Sequence, residues 1–141
     1  AEKSYVTGLT QVGIRNVSST AKEGYEDART MGSDILSVRQ QRALGADATI
    51  ARIPEGAKLY ITIDIDAFCP SIAPGTGTPV WGGLHSWQAA AALRDLAGIN
   101  MVGGDIVEVS PAYDTSGATA IAGAHVAHEL ICLYHWAKTQ R

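Results

Sequence analysis

At 141 residues the chain is long enough for one domain with one core and too short for two. Its 46% hydrophobic and 18% charged content is that of an ordinary globular protein. A formal net charge of −3 and the lack of a basic stripe exclude an electrostatic footprint for nucleic acid. No apolar run reaches the roughly 18 residues of a membrane helix. Two cysteines, Cys69 and Cys132, imply no disulfide framework, and a cytoplasmic location is the expectation.

In chain order, Val12–Ile14 reads as a short buried strand. Ser18–Glu23 then offers N-cap candidates, with an acid three residues after Thr20, the chemistry of a capping box. A helix is predicted from Ala21 to Thr30, a strand over Asp34–Val38, and a helical connection over Arg39–Gly45. Gly56 interrupts the chain before the strongest strand, Leu59–Ile65, whose nearly continuous apolar run predicts an interior position. Loop residues fill Asp66 to Gly83. Ser86 is predicted to cap a helix over Trp87–Leu96 that Gly98 stops. Asn100–Val109 reads as another buried strand and Gly117–Ala137 as a long closing helix. Strands alternating with helices in this rhythm point to βαβ units, a mostly parallel sheet and helices on both faces.

The segment Tyr60-Ile-Thr-Ile-Asp-Ile-Asp-Ala-Phe-Cys-Pro70, followed by Ala73-Pro-Gly-Thr-Gly-Thr-Pro79, carries the most chemistry. Alternation along a strand places Asp64 and Asp66 on one face with Cα atoms roughly 6–7 Å apart. Two carboxylates at that spacing can hold divalent ions. The competing reading is a strand end whose acids face solvent. Parallel sheets bind ligands beyond the carboxyl ends of their strands, where Asp64, Asp66 and Glu108 all fall.

This stretch resembles the signature of the ureohydrolases, the arginase and agmatinase family, and the agmatinase-like branch more than arginase proper. The likeness continues in Gly82-Gly83-Leu84, in Val102-Gly-Gly-Asp-Ile-Val-Glu-Val-Ser-Pro-Ala-Tyr-Asp114 and in Val12-Gly-Ile-Arg15. It implies an α/β three-layer sandwich with a mostly parallel sheet, of which residues 1–141 are the C-terminal portion. It also implies hydrolysis of a guanidino compound to urea and an amine by metal-bound hydroxide at a two-Mn²⁺ centre.

On that resemblance Asp64 matches the carboxylate bridging both metals and Asp66 the one chelating a single metal. Glu108 matches the acid that binds the substrate guanidinium, where a planar fork meets a carboxylate bidentately. Thr78 lies where the family has a hydroxyl near that pocket, and His85 is placed at the pocket mouth. Agmatine, guanidinobutyrate, guanidinopropionate and simpler guanidines all remain open as substrates. The family's Gly-Gly-Asp-His and Asp-Ala-His-x-Asp type metal motifs do not occur in this sequence, and the chain begins with Ala1. The expectation is half a metal site, with a complementary N-terminal chain as a possible partner and a homo-oligomer, trimer or hexamer, as the assembly.

Cys69 departs from the family, which has Asp there. A thiol is a weaker acceptor than a carboxylate, which puts the hydrogen bonding of the loop in question, and a buried structural thiol is the expectation. His125 and His128, three apart on the last helix, fit neither zincin pattern and are assigned packing or surface roles. Trp81 and Trp87 are read as packing residues. Two other functions compete with guanidine hydrolysis. A sugar-nucleotide transferase also uses Asp-x-Asp for Mn²⁺, but it leaves the Gly/Thr loop and Glu108 unexplained. A non-catalytic half-length paralogue or scaffold subunit would keep the fold without the metal.

Overall fold

The computed structural model describes residues 4–16 and 21–139. Among the described residues, four strands and five α-helices follow one another as β1 (Leu9–Ile14), α1 (Ala21–Thr30), β2 (Ser33–Ser37), α2 (Val38–Leu44), α3 (Asp47–Ile50), β3 (Leu59–Asp64), α4 (Ser86–Asp95), β4 (Met101–Val107) and α5 (Ala118–Thr139). Short 3₁₀ turns occupy Ile65–Ala67 and Pro111–Tyr113. The alternation is α/β and the pairing is parallel throughout.

The expected elements are present, with shifted ends. The first strand starts three residues before the predicted Val12. The strong strand stops at Asp64, because Ile65 begins a 3₁₀ turn. The capping candidates Ser18–Thr20 lie outside the described residues. Helix α4 begins at Ser86 itself and is capped by His85, whose N–H donates to the Gln88 side chain at 3.0 Å. Helix α2 carries a full capping box, in which Ser37 and Gln40 satisfy each other's free N–H groups.

The parallel strands form two pairs, β1–β2 and β3–β4, instead of one sheet. The core gathers on one face of β3–β4. Ile61, Ile63 and Ile106 pack there against Leu93 of α4 and against Val126, Leu130 and Leu133 of α5. The other face is open: Tyr60 is 57% exposed and Thr62 is also exposed. Leu59–Ile65 is therefore buried on one side only within this chain, contrary to the interior position its apolar run predicts. Tyr60 lies across Gly103, where a Cβ would meet the ring at 3.0 Å, and donates to Asp105 at 2.8 Å. Helix α5 exposes Ile121, Ile131 and Trp136, interspersed with His125, His128 and His135, on the side away from the core.

Candidate metal and substrate site

The site begins where β3 ends. Asp64 is the last strand residue, and its carboxylate accepts the Asp66 N–H at 3.0 Å, capping the 3₁₀ turn. The two acids are brought together by a turn, not by strand alternation as the sequence predicts. A side-chain cap satisfies an otherwise orphaned N–H, and here it also fixes the two side chains relative to one another. Thr78 reaches back across the loop and donates its hydroxyl to Asp66 Oδ2 at 2.8 Å.

Asp64, Asp66 and Thr78 line one cavity of about 430 Å³, together with Gln11–Asn16 at the end of β1 and with Tyr25 of α1. Burial raises the pKa of Asp64 above the ordinary carboxylate value, and the neighbouring charges of Asp66 and Glu108 push the same way. Negative charge is therefore concentrated at this end of the cavity. Glu108 follows β4 directly and is exposed, and its φ of 63° is the only positive value at a non-glycine among the described residues. Such a backbone is disfavoured for a side chain like Glu and is retained where surroundings impose it. Glu108 and His85 do not line the cavity. His85 sits at the head of α4, exposed.

Two features of the site exceed what residue types alone conveyed. Arg15, quoted in the sequence only as part of a motif, holds the loop after β3. Its Nε and Nη2 donate to Val80 O at 3.0 and 2.7 Å, and Nη2 also reaches Phe68 O at 3.3 Å and Asp66 O. The single signal available was its place at a strand's carboxyl end. Cys69 is half-buried, and hydrogen bonds preserve the loop around it. The Ser71 hydroxyl, then the Ser71, Gly82 and Gly83 N–H groups, lower its thiol to about 7 against the burial that opposes them.

Two glycines set the loop's shape. A Cβ on Gly83 would stand 2.5 Å from the Phe68 carbonyl carbon, and Leu84 could not then exchange hydrogen bonds with Ala67 and Cys69 as it does at 2.8 and 2.9 Å. Gly75 is pressed against Asp114, and its N–H donates to Thr119 at 2.7 Å, docking the Gly/Thr loop onto the start of α5. His125 and His128 are exposed on α5, as expected. His128 stands 3.8 Å from Cys132. Trp81 and Trp87, read from sequence as packing residues, are 88% and 70% exposed instead, because the Gly82-Gly83 turn and the first turn of α4 stand at the surface. Among the described residues, no three His, Cys, Asp or Glu side chains gather into a cluster able to hold a metal ion. None of the described helices is long and apolar enough to cross a membrane.

Known proteins resemble this chain in sequence and in fold. The chain is 50% identical to an agmatinase of Chromobacterium violaceum over 106 residues, 73% of this chain and 33% of that protein. It is 42% identical to a guanidinopropionase of Pseudomonas aeruginosa over 127 residues, 87% of this chain and 39% of the relative. Among solved structures, a hypothetical agmatinase from Burkholderia thailandensis superposes with a TM-score of 0.79 at 45% identity, covering 94% of this chain and 40% of that one. Proclavaminate amidino hydrolase from Streptomyces clavuligerus gives 0.83 at 37% identity, covering 91% and 43%. The chain thus spans about a third to two fifths of the length of the relatives it matches. With residues 1–132 matching the model of the arginase family, and the fold superposing on solved agmatinase and amidino hydrolase structures, the chain belongs to the arginase family.

Proposed function

We propose that this chain supplies part of the active site of a ureohydrolase that cleaves a small guanidino compound, agmatine-like in size, into urea and an amine. The observation that carries the reading is the coupled pair Asp64 and Asp66 at the carboxyl end of β3, facing one cavity with Thr78. The agmatinases and guanidinopropionase among its relatives support guanidine chemistry as the reaction class.

The donor chemistry suits Mn²⁺. Hard carboxylate oxygens prefer such ions, and a cation beside Asp64 would offset the burial, and after it the neighbouring negative charge, that raise its pKa. Two donors do not complete a site, and the described residues gather no third. Asp64 and Asp66 would therefore hold the ions jointly with ligands from elsewhere. A bound pair of such ions supplies water made acidic enough to act as a nucleophile at neutral pH.

The remaining work falls to this chain's own side chains. Asp64 and Asp66 would hold the ions, and Thr78 fixes the Asp66 carboxylate through its hydrogen bond to Oδ2. Glu108 pairs with the guanidinium and holds its carbon in place for attack, which matters because a guanidinium is a poor electrophile whose positioning outweighs its polarisation. Arg15 sets the loop that carries Asp66. The test is urea release by the complete, Mn²⁺-loaded protein across agmatine, guanidinobutyrate, guanidinopropionate and arginine. Release from one of the first three supports the reading. Silence toward all four, with metal bound, would favour a scaffold subunit.

A further inference from the structure

We infer that His128 and Cys132, side by side on the outer side of α5, form a chelating site for a thiophilic cation, Zn²⁺. The two residues are four apart within one long helix, the spacing that brings side chains together on one face. Cys132 Sγ stands 3.8 Å from His128 Nε2, the nitrogen at the tip of the imidazole. A Zn²⁺ ion with bonds of about 2.3 Å to sulfur and about 2.0–2.1 Å to nitrogen, at an angle of about 110–120°, holds those two donors about 3.5–3.8 Å apart. The pair is thus already spread to the width of a chelate, and closing on an ion asks little movement of either side chain. Both residues are exposed, on the side of α5 away from Val126, Leu130 and Leu133, which face the core. An ion therefore reaches them directly from solvent.

The donor chemistry selects the cation. A thiolate and an imidazole suit Zn²⁺, whereas Mn²⁺ stands lowest in the affinity order for divalent ions and prefers the oxygens of carboxylates such as Asp64 and Asp66. On binding, the Cys132 thiol gives its proton to solvent, and lone pairs on Sγ and Nε2 form the two bonds to the ion. Glu129, the next residue after His128, is turned aside by its ion pair with Arg94 of α4 at 2.9 Å. Among the described residues no third His, Cys, Asp or Glu joins the pair. Two protein donors leave the other coordination positions to water, the pattern of an open, exchangeable site and not of a closed structural one.

The test follows alkylation of Cys132 by iodoacetamide in the complete protein, read by peptide mass spectrometry without added metal, in Zn²⁺ and in Mn²⁺. Zn²⁺ should slow the reaction at Cys132 about tenfold or more, the factor for a site roughly nine-tenths occupied, and Mn²⁺ should leave it unchanged. His128→Ala should return the rate in Zn²⁺ to near its metal-free value, while Asp64→Ala should keep the protection. Co²⁺ in place of Zn²⁺ should give a sulfur-to-cobalt charge-transfer absorption that Cys132→Ser removes. Three results would overturn the inference: no slowing by Zn²⁺, equal slowing by Mn²⁺, or protection undiminished in His128→Ala. Urea release enters none of these readouts, so failure of the catalytic reading would leave them unaltered.

Discussion

The backbone N–H of Asp66 donates to the Asp64 carboxylate at 3.0 Å, so the two acids are held by the turn that ends β3 and not by the strand itself. Their relative placement then depends on the loop that Thr78 closes over Asp66. Removing a hydrogen-bond partner of a metal-binding carboxylate commonly costs 10- to 100-fold in affinity. Thr78→Val in the complete protein should weaken Mn²⁺ binding by roughly tenfold on that scale, and Thr78→Ser should restore it. A calorimetric titration that finds Thr78→Val equal to the wild type would remove Thr78 from the metal-binding apparatus.

Glu108 makes opposite demands on stability and function. Its left-handed backbone costs about 1 kcal/mol for a residue with a side chain. Glu108→Gly should therefore raise the unfolding free energy by about 1 kcal/mol while abolishing urea release and leaving metal content unchanged. Glu108→Ala should lose activity without the gain in stability. If both variants turn over normally, Glu108 has no part in holding the guanidinium.

Arg15 donates to carbonyls of Asp66, Phe68 and Val80 that would otherwise lack a charged partner. Arg15→Leu should destabilise the chain by about 2 kcal/mol, a fall of about 6 °C in Tm for a domain of this size. Arg15→Lys should recover only part of this, since an ammonium cannot reproduce the fork. Thermal unfolding followed by circular dichroism decides the matter, and an unchanged midpoint in Arg15→Leu would count against the anchor.

Cys69 gives the chain a pH signature. Its thiol is lowered to about 7 from 9.0, chiefly by the Ser71 hydroxyl. Between those values the folded chain carries a thiolate while the unfolded chain keeps the proton. Stability should therefore rise with pH from 7 to 9, and the contribution should vanish as pH falls through 7. Cys69→Ala should flatten that slope, and alkylation of Cys69 by iodoacetamide should show a midpoint near pH 7. A midpoint near the ordinary thiol value would show that the Ser71 and glycine donors do not hold a thiolate.

Much of this structure was legible in the residues. The alternation of apolar runs with capping and turn residues located every long element, because propensity and periodicity are local. The Gly/Thr/Pro loop announced itself through residues that only a tight backbone requires, and Gly75 and Gly83 show why. Two relationships were not local. Asp64 and Asp66 looked like one strand face, yet Ile65 starts a 3₁₀ turn that the Asp64 side chain caps. The anchoring role of Arg15 depends on carbonyls more than fifty residues away in the chain. Nor could periodicity reveal that β1 and β3 do not pair. A continuous apolar run reports that a strand is built for burial, whereas its neighbours are fixed by other parts of the polypeptide.

The most direct measurement is metal content by mass spectrometry, with urea release from agmatine, on the complete protein and its Asp64→Ala and Asp66→Ala variants. The expected wild type holds about two Mn²⁺ per subunit and releases urea, while each variant loses metal and activity together. Full metal occupancy with undiminished urea release in either variant would contradict the assignment of this carboxylate pair.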